Sequence, residues 1–413
     1  MKNNFPSYIS TGDPGSFAQH TLRKRLPQQI DEVIARNSIS RVNERDLLLL
    51  KKELLDGTIK DPLESKITAE GAFEQEELSV WKKQIALHKG RPWGALPWYF
   101  AETLFYVRLL VDFGYFDGAG PMYGVDPFQP EKDEELFSES GCPVNAGRVT
   151  NLLERTGSQT ERILLLLRCS LWGNRIDLSN KSIAEGAWHR ILESDEKNIL
   201  IDHSERILKI LWGARRVDIV TDNCGTELGC DLLLAESLLK MPGLKEVHFH
   251  LKKHPVFVSD AMVKDVKKTL CRFSAERGNK VSEYGNSLVS YIKQGRLFLH
   301  DHWFWNSPLF FSDFPRDLET ELSKPDLVIL KGDVNYRRLL SDRRWPHSEK
   351  MEDIAGQFPS PFAVLRTLKS EIIVDLEEET VKALDRVDPR WMLNGERGVI
   401  RLVEITGKRQ LTC

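Results

Sequence analysis

The chain is poor in the features that mark several large protein classes. Its 413 residues hold six cysteines, Cys142, Cys169, Cys224, Cys230, Cys271 and Cys413. They are scattered with no Cys-x-x-Cys pair, which argues against a zinc ribbon and a secreted disulfide framework and favours a reducing compartment. No window reaches the roughly 18 consecutive apolar residues of a membrane span, and Met1-Lys2-Asn3-Asn4-Phe5-Pro6 carries no apolar signal core. An excess of one charge is missing too: 58 Lys plus Arg against 61 Asp plus Glu leave a formal net charge of −3. The signs are interspersed, so nothing calls for a nucleic acid or an anionic membrane as partner. There is no internal repeat, low-complexity stretch, P-loop, dinucleotide fingerprint or nucleophile elbow. The expectation is a soluble, cytoplasmic protein without nucleic-acid or membrane partners, open to small polar ligands.

What is present is a set of apolar runs that end in polar clusters. Leu327-Val328-Ile329-Leu330 leads into Lys331-Gly332-Asp333-Val334-Asn335-Tyr336-Arg337-Arg338, and Val217-Asp218-Ile219-Val220 leads into Thr221-Asp222-Asn223-Cys224-Gly225-Thr226-Glu227. Between them, Val247 to Leu251 and Pro255-Val256-Phe257-Val258 lead to Ser259-Asp260. The ends of buried strands are where open α/β sheets keep their ligands. Beyond Leu152, helical stretches alternate with β-branched runs near 217–220, 246–251, 255–258, 296–299, 326–330 and 372–375, which predicts a largely parallel sheet with crossover helices. From about Leu22 to Phe116 the pattern is helical, with Ala101 to Leu110 an amphipathic helix. Residues 117–143 form a turn-rich connector. The expected division is a helical N-terminal domain over residues 1–140 and an α/β catalytic domain over residues 141–413.

Each polar cluster has a plain structural reading beside a chemical one. Asp222-Asn223 after a strand suits a turn or helix cap, and Asp260 an acidic cap. Taken together, two carboxylates and an amide oxygen suit a hard divalent cation such as Mg²⁺ or Mn²⁺. Lys331-Gly332 would let backbone N–H groups and an ammonium approach a phosphate, with Asn335 and Arg337 as further donors. The alternative is a solvated loop. Lys369, between two apolar runs, adds a cation or simply guards a strand edge.

Four separated stretches together resemble the metal-dependent damage-control phosphatases, a former domain-of-unknown-function group, in the subfamily that includes fungal sugar-phosphate phosphatases. They are Ser170-Leu171-Trp172-Gly173-Asn174-Arg175-Ile176-Asp177-Leu178-Ser179, Asp222 to Leu228, Lys331 to Leu339, and Arg366-Thr367-Leu368-Lys369. Pro97-Trp98-Tyr99-Phe100-Ala101-Glu102 extends the likeness into the helical domain. The resemblance implies a three-layer α/β/α Rossmann-like core with a helical N-terminal domain, one divalent metal (Mn²⁺, Co²⁺, Ni²⁺ or Mg²⁺) and hydrolysis of phosphate monoesters such as fructose 1-phosphate and fructose 6-phosphate. It also implies Asp222, Asn223 and Asp260 as metal ligands. Glu227, Asp333, Asn335, Arg337 and Lys369 would line the substrate pocket, with Val334 and Tyr336 in the same loop. The physical reading adds Lys331 to neutralise phosphate, a water as nucleophile, and Glu227 or Asp333 as its base; direct attack by Asp222 stays open, so Asp222, Glu227 and Asp260 are the catalytic candidates.

Weaker signals are Trp172, Asn174 and Arg175 at a pocket entrance, His248, His250 and His254 as solvated or hydrogen-bonded histidines rather than zinc ligands, and Trp303 and Trp305 as pocket wall or core. Two other functions compete: an S-adenosylmethionine-dependent protein carboxyl O-methyltransferase, for which the chain lacks the expected Gly-rich loop after a first strand, and a non-catalytic sugar-phosphate-binding protein.

Overall fold

The structure is a computed structural model that describes residues 5–61, 73–173, 196–276 and 278–405. Asn174 to Ser179 of the first matching stretch, and Cys413, lie outside the described residues. Seven strands form one sheet: β1 (Ile199–Asp202), β2 (Arg216–Val220), β3 (Glu246–Lys252), β4 (Leu297–His302), β5 (Leu327–Lys331), β6 (Phe362–Thr367) and β7 (Gly398–Val403). Their order is β1-β7-β6-β5-β2-β3-β4. All pairings are parallel except β6 with β7.

Alternation along the central strands sends side chains into two separate cores. Val217, Ile219, Leu327, Ile329, Ala363 and Leu365 pack with the helices Gln159–Trp172 and Thr226–Leu239 on one face. Val220, Val328, Leu330, Phe362 and Val364 pack on the other, with the helices Arg316–Leu322 and Gly332–Leu339. A sheet buried on both faces needs near-continuous apolar strands, and Leu327 to Leu330 is such a run. The result is the three-layer α/β/α arrangement.

Two expected strands are not strands. At 255–258, Pro255 offers no N–H to a ladder, and Phe257 and Val258 have φ of 50° and 69°, a left-handed conformation that leaves the β region. At 372–375, the backbone is buried but bonded to side chains and loops: Arg366 donates to the Ile372 carbonyl, and Val374 N–H donates to the Tyr336 hydroxyl. Asp375, at φ 66°, ends the run. The sheet instead takes β1, β6 and β7, which the sequence pattern had not marked. The connector 117–143 contains a helix, Gln129–Phe137.

The helices before the sheet gather a core of their own around Leu26, Ile30, Leu47, Leu50, Trp81, Trp93 and Leu104. The helix Trp98–Phe113 is buried at every position, not amphipathic as expected. Its charged residues are paired inside: Glu102 with Arg337, and Arg108 with Glu53 and Asp112. Trp172, Trp303 and Trp305 are core residues, each 1% exposed.

Candidate active site at the sheet switch point

From β2 the chain proceeds to β3 on one side, and from β5 to β6 on the other. Adjacent strands whose connections diverge leave a crevice at their carboxyl ends. Asp222 and Asn223 follow β2 there, and Gly332 and Asp333 follow β5. Gly332 has φ 81°, and a Cβ at this position would lie 2.0 Å from Asp222 Oδ2. Both the turn and the close approach of the carboxylate therefore require glycine.

The segment after β3 folds back to complete the cluster. Asn223 and Asp260 form an isolated antiparallel bridge, in which Cys224 N–H donates to the Ser259 carbonyl at 2.6 Å and Ala261 N–H to the Asp222 carbonyl at 2.8 Å. The left-handed Phe257 and Val258 make the bend that carries Asp260 into this position. Asp260, far from Asp222 and Asn223 in the sequence, is thus brought onto one wall with them by this backbone bridge.

Their electrostatics are unbalanced. Burial pushes the Asp222 carboxyl well above its ordinary value, Glu227 and Asp260 push it further, and Lys369 and Lys252 only partly oppose them. Asp260 is raised to about 6, chiefly by burial, against the pull of Lys252. Lys252 Nζ stands 3.4 Å from Asp260 Oδ2, yet that oxygen accepts no hydrogen bond. Asn223 Nδ2 donates to Asp222 Oδ2 at 2.7 Å and to Glu227 Oε2 at 3.1 Å, while Asn223 Oδ1 accepts from the Ser259 hydroxyl at 2.5 Å.

This donor set fits a hard divalent cation. Two buried carboxylates, one with an unbonded oxygen, are short of positive charge, and oxygen donors are what Mg²⁺ or Mn²⁺ takes. Turning the Asn223 amide over would offer Oδ1 beside Asp222. Among the described residues no three His, Cys, Asp or Glu side chains converge as a ligand group. The pair therefore needs the amide and oxygens from water or substrate.

The cluster opens into a cavity of about 330 Å³. Asp222, Asn223, Ser259, Asp260, Asp333, Val334, Arg337 and Lys369 line it from the sheet side. Asp333 Oδ1 accepts from Arg366 Nε at 2.8 Å and from the Ser370 hydroxyl at 2.9 Å, which fixes the carboxylate and leaves Oδ2 out of both bonds. Arg337 is held by Glu102 at 2.5 Å and Asp342 at 2.8 Å, with its guanidinium 3.4 Å from the Trp98 ring centroid. Lys369 is exposed and makes no ion pair among the described residues.

Other expected site residues stand behind this wall. Lys331 Nζ, 1% exposed, donates to Glu227 Oε1 at 2.9 Å and to the Ser170 carbonyl, and lies 3.2 Å from Asp231. Burial alone would depress its pKa, but Asp231 and Glu227 more than offset this, so its charge is spent beneath the cavity. Glu227 is linked to Asp222 through the Asn223 amide, which donates to both. Asn335 donates to the Thr221 and Lys331 carbonyls, and Tyr336 lies under the Arg366 guanidinium at 4.0 Å. His248 and His250 are engaged with His300, Glu246 and Asp218 on the sheet.

The cavity is also lined by residues of helices that the sequence left without a role, and by Phe257 of the bend after β3. Phe17, Thr21, Arg25 and Gln29 line it, with Trp98, Glu102, Tyr106 and Phe257. Only Trp98 and Glu102 fell in a matching stretch. The fourfold spacing 17, 21, 25, 29 was the available signal.

An oxygen-donor cluster at the switch point of a largely parallel sheet, beside an exposed lysine and the start of a helix, is the kind of crevice in which α/β enzymes hold small polar ligands. The chain belongs to the damage-control phosphatase ARMT1-like family, whose domain matches residues 21–384. It is 30% identical over 436 residues to Damage-control phosphatase ARMT1 of Danio rerio, covering 96% of each chain. To the protein of the same name from Mus musculus it is 30% identical, over 96% of this chain and 98% of the relative. The human counterpart is 27% identical over the same shares. A crystal structure of a DUF89 family protein from Pyrococcus horikoshii shares the fold, at 15% identity and a TM-score of 0.50 over 94% of this chain and 99% of that one. The protein is therefore a phosphatase, of a family that is generally metal-dependent and acts on small phosphorylated metabolites. No helix among the described residues is long and apolar enough to cross a membrane.

Proposed function

We propose that the protein hydrolyses sugar phosphate monoesters, such as fructose 1-phosphate and fructose 6-phosphate, with one divalent cation (Mn²⁺, Co²⁺, Ni²⁺ or Mg²⁺) held by Asp222, Asn223 and Asp260. The observation that carries this reading is the buried pair Asp222 and Asp260, undercompensated by the chain's own cations and open to a polar cavity. A bound cation would supply the Lewis-acid charge that offsets both carboxylates and polarises a phosphoryl oxygen. Lys369 neutralises a second phosphoryl oxygen, and the free N–H groups opening the helix Gly332–Leu339 donate to a third. Asp333, fixed through Oδ1, takes a proton at Oδ2 and is the preferred base. Glu227 and Lys331 pair with each other behind this wall and support it from beneath. Arg337, locked by Glu102 and Asp342, gives the wall its rigidity and presents its remaining N–H groups to the substrate.

In the same reading, residues 141–413 form the catalytic domain, and the helical domain of residues 1–140 closes the cavity over the sugar. The test is a panel of phosphate esters assayed with chelated and metal-replenished protein. Phosphate release from fructose 1-phosphate or fructose 6-phosphate that vanishes on chelation and returns with one of the four metals is expected. No release with any of them, together with micromolar binding of S-adenosylmethionine by calorimetry, would overturn the reading in favour of the methyltransferase.

A further inference from the structure

The N-terminal helix runs without a break from Phe17 to Arg36, but its second turn, Thr21–Arg25, is π-helical, closed by Leu26 N–H donating to the Thr21 carbonyl. Side chains four apart on an α-helix drift by about 40° per step, because the turn holds 3.6 residues. A π-turn, with its i→i+5 bonding, is wider than four residues and rotates the stripe back. Phe17, Thr21, Arg25 and Gln29 are spaced by four and all line the cavity. The irregular turn thus keeps one edge of the helix aimed at the cavity.

That edge is rich in uncommitted donors. The Thr21 hydroxyl is buried, with no hydrogen-bond partner among the described residues. Gln29 Oε1 accepts from the Tyr106 hydroxyl at 2.9 Å, which directs its amide N–H groups elsewhere. Arg25 is exposed, pairs with no carboxylate among the described residues and lies 5.2 Å from the Phe17 ring centroid. Such a set serves no packing need of its own helix. It lines the same cavity as Lys369, on a different element.

We infer that Arg25, with Thr21 and Gln29, binds the hydroxyl-bearing end of the sugar phosphate and sets discrimination between hexose phosphates and smaller phosphate esters. This rests on the sugar-phosphate reading above. Glu102 on the same wall supplies the acceptor that sugar hydroxyls also need.

The experiment compares wild type, Arg25→Ala and Arg25→Lys in the metal-replenished full chain, with fructose 6-phosphate as substrate and inorganic phosphate as competitive inhibitor. Arg25→Ala should raise KM for fructose 6-phosphate about tenfold with kcat nearly unchanged, while the Ki for inorganic phosphate stays within about twofold. Arg25→Lys should recover most of the loss. A KM unchanged in Arg25→Ala, or a Ki that rises in parallel with KM, overturns the inference; the second result would assign Arg25 to the phosphoryl end. A wild type that hydrolyses smaller esters but no sugar phosphate overturns the sugar-phosphate reading, and this inference with it.

Discussion

Asp218 and Asp222 leave the same strand four residues apart, both buried, and their surroundings are opposite. Asp218 meets Arg216 in a two-point ion pair at 2.7 and 2.8 Å and His250 at 2.8 Å. Although burial raises its pKa, the His250 and Arg216 contacts win, and it falls below its ordinary value. Among the described residues Asp222 accepts only from Asn223, and burial, with Glu227 and Asp260 nearby, raises its pKa well above the ordinary value. A buried carboxylate with matched partners holds a fold together, whereas one crowded by its own kind marks where charge must arrive from outside.

The sharpest way to break this comparison is to neutralise each acid in turn. Asp222→Asn should cost at least about 100-fold in kcat, since the electrophilic side of the site is lost, while the melting temperature of chelated protein stays level or rises. A variant with normal turnover would remove Asp222 from the chemistry. Asp218→Ala should instead destabilise by about 3 kcal/mol, because it leaves the half-buried Arg216 with Glu321 alone, and the folded fraction should keep its kcat. Urea unfolding and activity on one preparation separate the two effects. Because the folded pKa of Asp218 lies below the unfolded one, its stabilisation is present above the ordinary aspartate value of 3.8 and is lost as pH falls through the depressed value. The gap between wild type and Asp218→Asn should therefore narrow in acid, and a gap that widens there would reverse the assignment.

Smaller effects sharpen the picture. Gly332→Ala forces a side chain into a left-handed position, at about 1–2 kcal/mol, and displaces the Asp222 carboxylate, so stability and kcat should fall together. A loss of stability with full activity would show that Asp222 tolerates displacement. Lys369→Ala, at an exposed site, should leave stability untouched and raise KM up to about tenfold, with kcat falling if the contact tightens in the transition state. Unchanged kinetics would take it out of the pocket.

How much of this was legible in the sequence follows from where the information lies. Asp222, Asn223 and Asp333 stand within three residues of apolar runs, so strand ends and polar clusters could be read together, whereas Lys369 was read only as a cation between two apolar runs. Asp260 was legible as a residue, but the strand assigned to lead into it is a left-handed bend at Phe257 and Val258, whose conformation only the tertiary bridge to Asn223 explains. Lys331 was read as a pocket cation because strand-end position does not reveal which face a side chain takes; burial beside Glu227 and Asp231 takes it beneath the floor. β6 and β7 escaped notice although both are apolar, and Ile372 to Val374, equally apolar, was taken in their stead. Hydrophobicity reports burial, and only backbone partners distinguish a strand from a buried loop. The helical wall at Phe17 to Gln29 offered only its spacing of four, which lies on one edge of the helix because of the π-turn at Thr21–Arg25.

The most direct measurement is a calorimetric titration of metal-stripped protein with Mn²⁺ for wild type, Asp218→Asn and Asp260→Asn. One site per chain is expected in wild type and in Asp218→Asn, and none in Asp260→Asn, whose fold should remain intact by circular dichroism. Equal Mn²⁺ binding in Asp260→Asn and wild type would contradict the assignment of the buried Asp222 and Asp260 pair as the metal site.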